Sequence, residues 1–339
     1  MTHAVAWYRS AQPAPRVDRT LRRRLRDAIR AALPEPRVDG RIIVMPSRRT
    51  LPKLSRRGWR SEYHGLFSDF HSVLGALVYA RTRGAAGVRV DFRSPLYVDP
   101  TRGPNWWSYF FERDTMRVDG RADAAPEIRL DAVITKYGRF GGFSDIVQGT
   151  TPYLYPMTFA IDRAALHALV ATHATLRREV TDDAARIVRE RFEPGAFVVG
   201  VHYRGTDSVH RWGGVFRHYR RAAVPYTAYL DEVRRVLDAA RPRAFQIFAA
   251  TDEAAFVDAV ERAFPGRVVV IDAPRAGVDR QPVHLTASAS PYAKGRSAIL
   301  DALLLASTSY LVKGRSNLSD ASLIFNPDVP YSFCPDVAL

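Results

Sequence analysis

Apolar and polar positions fall into two periods along the chain. Residues 64–84 place Phe70, Val73, Leu74, Leu77 and Val78 at helical spacing and run to Gly84, which predicts a helix ending there. Short apolar runs flank it, RIIVM at 41–45 and VRVDF at 88–92, so this part reads as strand, long loop, helix, strand. Upstream, residues 16–30 set Leu21, Leu25 and Ile29 four apart among arginines, the pattern of a basic amphipathic helix. The stretch 95–113, PLYVDPTRGPNWWSYFFER, is rich in Pro, Gly and aromatic residues and reads as a packed or acceptor-facing loop. A strand over 127–136 and two helices within 161–192 follow.

The second half alternates more regularly. Strand patterns at 197–203, 244–250, 267–271 and 310–312 are separated by helical ones at 226–239, 252–263 and 297–306, and a further helix starts at 317. Compact apolar strands joined by short loops and helices are what a buried parallel sheet requires. The fold class expected is α/β, with two Rossmann-like domains facing across a cleft that holds the ligand. The first domain spans 1–160, the second 161–325, and residues 326–339 form a tail that packs back on them.

Composition narrows the classes. With 47% hydrophobic and 25% charged residues, the 339-residue chain is neither disordered nor fibrous. Cys334 is the single cysteine, which excludes an intrachain disulfide and a cysteine-built zinc cage and favours a reducing, cytoplasmic setting. No run approaches 18 apolar residues and the first residues lack the apolar core of a secretory signal, so neither a membrane span nor export is expected. The formal charge is +15, and of the 50 basic residues only Lys53, Lys136, Lys294 and Lys313 are lysines. Such an arginine excess reflects either a compositional bias or a surface for nucleic acid, anionic lipid or a phosphorylated small molecule.

Ligands of open parallel sheets bind beyond the carboxyl ends of the strands. Three such ends carry chemistry: His202 to Asp207 (HYRGTD), Thr251 to Glu253 (TDE) and Lys313 to Asn317 (KGRSN). Arg204 can hold a diphosphate through its planar fork, or pair with Asp207 to shape a turn. Ser316 and Asn317 sit where a helix begins, either as plain capping residues or as an anion site made with the free amides. Asp252 and Glu253 can cap the next helix or accept from a base or ribose. Asp301, inside the apolar run SAILDALLLA, needs a specific partner, structural or a ligand hydroxyl.

The segments VGVHYRGTD (199–207), FAATDEAAFVDAVERAFPG (248–266) and ILDALLLASTSYLVKGRSNLSDASLIF (299–325) resemble, in order and spacing, three C-terminal motifs shared by bacterial nodulation-type α1,6-fucosyltransferases and protein O-fucosyltransferases. HGLFSDFHSVLGALVYA (64–80) resembles the segment with which these enzymes start. The resemblance implies a GT-B fold and an inverting, metal-independent glycosyltransferase without a cofactor. Its donor would be GDP-fucose or a related GDP-sugar, and its acceptor an oligosaccharide or lipid-linked glycan used in surface polysaccharide synthesis. It assigns Arg204 to the β-phosphate and His202 to the donor side of the strand end. Asp252 and Asp301 match acidic positions near guanine or ribose, and Ser316 a hydroxyl near the diphosphate. Thr206, Arg315 and Asn317 complete the donor set. Asp69 is the first candidate for the general base, with His64, Asp207 and His210 behind it and an N-cap role for Asp69 as the alternative. The chain departs from the α1,6 enzymes at Gly205, where they carry a second arginine. The partners expected are the nucleotide sugar, the glycan acceptor and an anionic membrane surface touched peripherally, with no nucleic acid. A basic nucleic-acid-binding α/β protein and a non-catalytic nucleotide-sugar-binding domain are the alternatives.

Overall fold

The structure, a computed structural model, describes residues 37–47, 53–55, 58–60, 65–118, 125–129, 163–205, 224–273, 275, 290–314 and 316–334. In the first half, β1 (Ile42–Pro46) lies parallel to both β4 (Gly87–Asp91) and β6 (Glu127–Arg129), and β5 (Thr115–Arg117) closes the other edge antiparallel to β4. The sheet order is β5-β4-β1-β6. A small antiparallel ribbon, β2 (Lys53–Ser55) with β3 (Gly58–Arg60), interrupts the connection from β1 to helix α1 (Leu66–Thr82). That helix crosses back over the sheet to β4. It forms because nearly every turn offers an apolar face: Phe70, Val73, Leu74 and Leu77 are wholly buried.

The aromatic side chains of the loop at 95–113 belong to the core, while Pro95, Pro100, Thr101, Arg102, Pro104, Glu112 and Arg113 stay exposed. Trp106 and Trp107 are wholly buried, Trp107 stacks on Phe111 at 3.7 Å between ring centroids, and Phe92 stacks on Trp106 at 5.1 Å. Asn105 fixes the turn, its amide oxygen accepting from the peptide N–H of Phe92 at 3.0 Å and its amide nitrogen donating to the Val90 carbonyl at 2.8 Å.

The second half is a five-stranded, wholly parallel sheet in the order β11-β10-β7-β8-β9. Its strands are β7 (Phe197–Tyr203), β8 (Phe245–Thr251), β9 (Val268–Val269), β10 (Tyr310–Lys313) and β11 (Tyr331–Phe333). Tyr331–Phe333 therefore continue the sheet as its edge strand. Alternation along the strands divides two cores. Val199, Val201, Tyr203, Ile247 and Val312 pack under helices α4 (Tyr226–Ala240) and α5 (Ala254–Ala263). Val198, Phe248, Ala250 and Leu311 face the opposite way, toward α6 (Pro291–Ala306) and α7 (Asn317–Phe325). This second core runs without a break into the first half, where Phe325 at the end of α7 meets Phe70 of α1 at 5.5 Å and Phe67 at 6.4 Å. Helices α2 (Arg163–His173) and α3 (Arg178–Arg191) cover the junction, α2 against α7 and α3 against α6.

Candidate active site

Three strand ends converge because β10, β7 and β8 are adjacent and parallel. Their register places Lys313 beside His202, and His202 beside Ala250. The chain leaves β7 through Arg204, half-buried, and Gly205. The Gly205 peptide N–H donates to the Asp252 carboxylate at 3.0 Å, so the first and second strand ends are tied directly. A Cβ on residue 205 would fall inside the envelope of the Glu253 carboxylate, so any side chain following Arg204 would have to displace it. Glu253 in turn accepts from the Tyr226 hydroxyl at 2.5 Å. Tyr203 stacks on Phe256 at 4.5 Å and meets Tyr226 edge-on at 5.0 Å, holding the end of β7 against α4 and α5.

Neither acidic residue after β8 caps α5 with its side chain. Glu253 occupies the N-cap position without a side-chain cap bond, its own N–H donating instead to Thr251 Oγ1 at 3.1 Å. Asp252 serves Gly205. Local spacing suggested caps, and tertiary partners won.

At the third strand end the capping reading of Ser316 holds. Its Oγ accepts from the Leu318 N–H at 3.2 Å and its carbonyl from the Asp320 N–H at 3.0 Å, with Asn317 as the first helical residue of α7. Gly314 is required as well, because a Cβ there would strike the Tyr229 hydroxyl.

On the inner face, a row of buried polar groups crosses the seam between the two halves. His202 is buried, its imidazole held down at about 3 by burial first, then by the charges of Arg204 and Lys313. From α1, His71 is equally buried and also lowered to about 3, by burial and then by Lys313. Both rings are therefore neutral at physiological pH. Lys313 is paired with Asp320 of α7, each side chain 1% exposed. Burial raises the Asp320 carboxyl while Lys313 pulls it back. Sequence reasoning named Lys313 only by position and passed over His71 and Asp320. The signal available was an opposite-charge pair seven residues apart, bracketed by the apolar runs YLV and ASLIF.

Asp69 is wholly buried in the first turn of α1. Its capping alternative is overturned: the helix starts at Leu66 and Gly65 is the N-cap, because Leu66 and Phe67 extend the apolar face one turn earlier. Asp301 lies on α6, away from the polar row. Its expected structural partner is not found: among the described residues its charged neighbour is Arg275, which donates instead to the carbonyls of Ile271 at 2.7 Å and Ala273 at 3.4 Å. Burial pushes the Asp301 carboxyl up to about 7 against the weaker pull of Arg275. Thr206, Arg315, His64, Asp207 and His210 lie outside the described residues. Among the described residues no three His, Cys, Asp or Glu side chains converge as metal ligands, and no helix is long and apolar enough to cross a membrane.

No protein-family model and no curated protein sequence matches the chain. Among solved structures it is similar to the fucosyltransferase NodZ from Bradyrhizobium, at 18% identity and a TM-score of 0.48, over 85% of this chain and 94% of that one. It is similar also to POFUT1 in complex with GDP, at 9% identity and a TM-score of 0.46, over 89% and 99%. A variant of Arabidopsis thaliana FUT1 in complex with GDP aligns at 11% identity and a TM-score of 0.42, over 91% and 74%.

Proposed function

We propose that the protein is an inverting glycosyltransferase that moves fucose, or a related sugar, from a GDP-sugar to a hydroxyl of an oligosaccharide or lipid-linked glycan, without a metal. The observation that carries the reading is the convergence of the three resembling motifs. Far apart in the chain, they meet on one sheet edge, the first and second joined by the Gly205–Asp252 hydrogen bond and the first and third by the pairing of His202 with Lys313.

In this reading Arg204 grips the β-phosphate, since its charge is independent of pH and its fork matches two oxygens. The Ser316 hydroxyl and the first amides of α7 face the same anion, with the helix dipole in their favour. The acceptor oxygen attacks the anomeric carbon as the bond to the phosphate oxygen breaks, and GDP leaves with the electron pair. Charge growing on the diphosphate meets groups already in place, which lowers the barrier without reorganisation. The acceptor proton passes to a base, for which Asp69 is our candidate. Neutral His202 beside Arg204 adds no positive charge of its own and can donate or accept one hydrogen bond. Asp252, held by Gly205, lies on the ribose or base side of the donor in this reading. The natural setting of this chemistry is the cytoplasm, at the inner face of the membrane where the acceptor is lipid-linked, in surface polysaccharide synthesis.

Two measurements test the reading. GDP should raise the melting temperature by binding the native state, and single-stranded oligonucleotide should not. Incubation with a panel of GDP-, UDP- and dTDP-sugars should release nucleotide only from the GDP-linked ones. Absence of a GDP shift at saturation, together with salt-sensitive DNA binding, overturns the proposal in favour of the nucleic-acid alternative.

A further inference from the structure

The connection from β1 to α1 carries an unbalanced charge. Residues 47–60, SRRTLPKLSRRGWR, hold six basic residues and no acidic one. On the helices, by contrast, arginines stand among acids: α3 sets Arg178, Arg186, Arg189 and Arg191 beside Glu179, Asp182, Asp183 and Glu190. Within the basic stretch, β2 and β3 form an antiparallel ribbon that joins neither main sheet, with Lys53 directly across from Arg60 and Leu54 from Trp59. Successive positions of a strand belong to opposite faces, so Lys53 and Arg60 fall on one face of the ribbon and Leu54 and Trp59 on the other.

Two features of this ribbon ask for a partner outside the chain. Like charges directly opposite each other weaken strand pairing, and a two-stranded ribbon has little stability of its own to offset that cost. An anionic surface along the Lys53–Arg60 face removes the repulsion. The second feature is position. β1, β4 and β6 are parallel, and the ribbon follows β1 at its carboxyl end, the edge at which open parallel sheets bind ligands. The three donor motifs occupy the second half, which leaves this edge to the acceptor.

The composition decides between anionic partners. A basic face backed by Trp and Leu is that of segments lying in a membrane interface, and a cluster of this many Lys and Arg is what holds anionic headgroups. A single-stranded nucleic acid calls instead for several aromatic positions along the basic groove, on which successive bases stack. The ribbon offers one, Trp59, on the face opposite Lys53 and Arg60.

We infer that the β2–β3 ribbon docks the protein on anionic lipid headgroups, with Lys53 and Arg60 as cations that meet them, and so holds the acceptor edge of the first sheet against the bilayer. The inference rests on the proposed function for the identity of that edge, and not for the contact itself.

The test is sedimentation of the full chain with vesicles of phosphatidylcholine alone and of phosphatidylcholine mixed with phosphatidylglycerol, at physiological ionic strength. Wild type should bind the mixed vesicles and not the neutral ones. At about fivefold in partition for each cation near the surface, Lys53→Gln/Arg60→Gln should bind the mixed vesicles about 25-fold more weakly. Arg178→Gln/Arg189→Gln removes the same charge from exposed positions of α3 and should change binding by less than about twofold, because charges beyond a Debye length of the bilayer are screened. Each single ribbon substitution should show about fivefold, so either one decides if the double variant does not fold. Equal binding by the ribbon variant and wild type, an equal loss in the α3 variant, or neutral vesicles bound as tightly as mixed ones overturns the inference. Single-stranded oligonucleotide bound more tightly than the vesicles, and lost in the ribbon variant, overturns it in favour of nucleic acid. Titration of the same proteins with GDP reads the donor site separately: the ribbon variant should bind GDP as wild type does, and failure of wild type to bind GDP overturns the proposed function and not the docking.

Discussion

Substituting Gly205 by alanine probes the tie between the first two strand ends. The added Cβ enters the space of the Glu253 carboxylate, a buried group that accepts from the Tyr226 hydroxyl at 2.5 Å. The carboxylate is the far end of a flexible side chain and can swing aside. Doing so breaks the bond to Tyr226 and leaves a buried charge to find another partner, a loss of about 1.5–3 kcal/mol for a hydrogen bond to a charged group. At roughly 2–4 °C per kcal/mol for a chain of this class, Gly205→Ala should lower the melting temperature by about 3–12 °C. Tyr226→Phe removes the same bond without the clash and should cost about half as much, on the order of 0.7–1.5 kcal/mol. Glu253→Ala opens the space, so the Gly205→Ala/Glu253→Ala double variant should melt no lower than Glu253→Ala alone. Differential scanning fluorimetry of the four proteins measures the coupling. Gly205→Ala melting at the wild-type temperature, or additive losses in the double variant, would refute the argument.

Three further outcomes are expected. Arg204→Ala should keep the melting temperature within about 2 °C while GDP release from GDP-fucose with acceptor present falls by at least about 10²-fold, the scale of one lost charge-stabilising donor; retained turnover removes Arg204 from the site. Asp69→Asn should lower kcat by about 10²–10⁴ with KM for the donor little changed if the carboxylate is the base, and unchanged kcat excludes that role. For Asp301 the native pKa is raised to about 7. Between the ordinary carboxylate range and 7 the unfolded chain has released a proton that the native one keeps, so this group lowers stability as pH rises. Asp301→Asn should therefore melt above wild type at pH 8 and converge with it near pH 4, and a pH-independent difference refutes the assignment.

The second half of the fold was legible because a parallel sheet buries both faces of each strand, leaving continuous apolar runs such as FVVGVHY that admit one reading. The order of strand ends followed, and with it the convergence of Arg204, Asp252 and Ser316. What escaped were side chains whose partners are remote. Glu253 stands where a cap belongs, yet binds Tyr226, 27 residues earlier. Asp69 looks like a cap because it is the first polar residue before Phe70, yet the helix had already begun at Leu66. Asp301 called for a structural partner or a ligand hydroxyl, and among the described residues burial raises its carboxyl to about 7 with Arg275 as the charged neighbour. Glu253 was lost to a partner that only the assembled sheet brings close, and Asp69 to an apolar face that starts the helix one turn earlier than its polar residue suggests.

The excess of positive charge can now be divided by environment. Many arginines sit on helix surfaces beside acidic residues one turn away, as in Arg186 with Asp183 and Glu190, Arg234 with Asp231, and Arg235 with Glu232. Exposed pairs of this kind are worth about 0–1 kcal/mol each and direct no chemistry. Against that background, the basic side chain fully buried among the described residues is not one of the arginines but Lys313. An arginine at a half-buried strand end, like Arg204, can offer its fork to a ligand and stay partly hydrated. Lys313, sealed between a strand end and a helix start, is committed to Asp320. Of the two buried or half-buried cations at these strand ends, Arg204 is therefore the one the proposed GDP-sugar site calls on, its planar fork suited to phosphate oxygens.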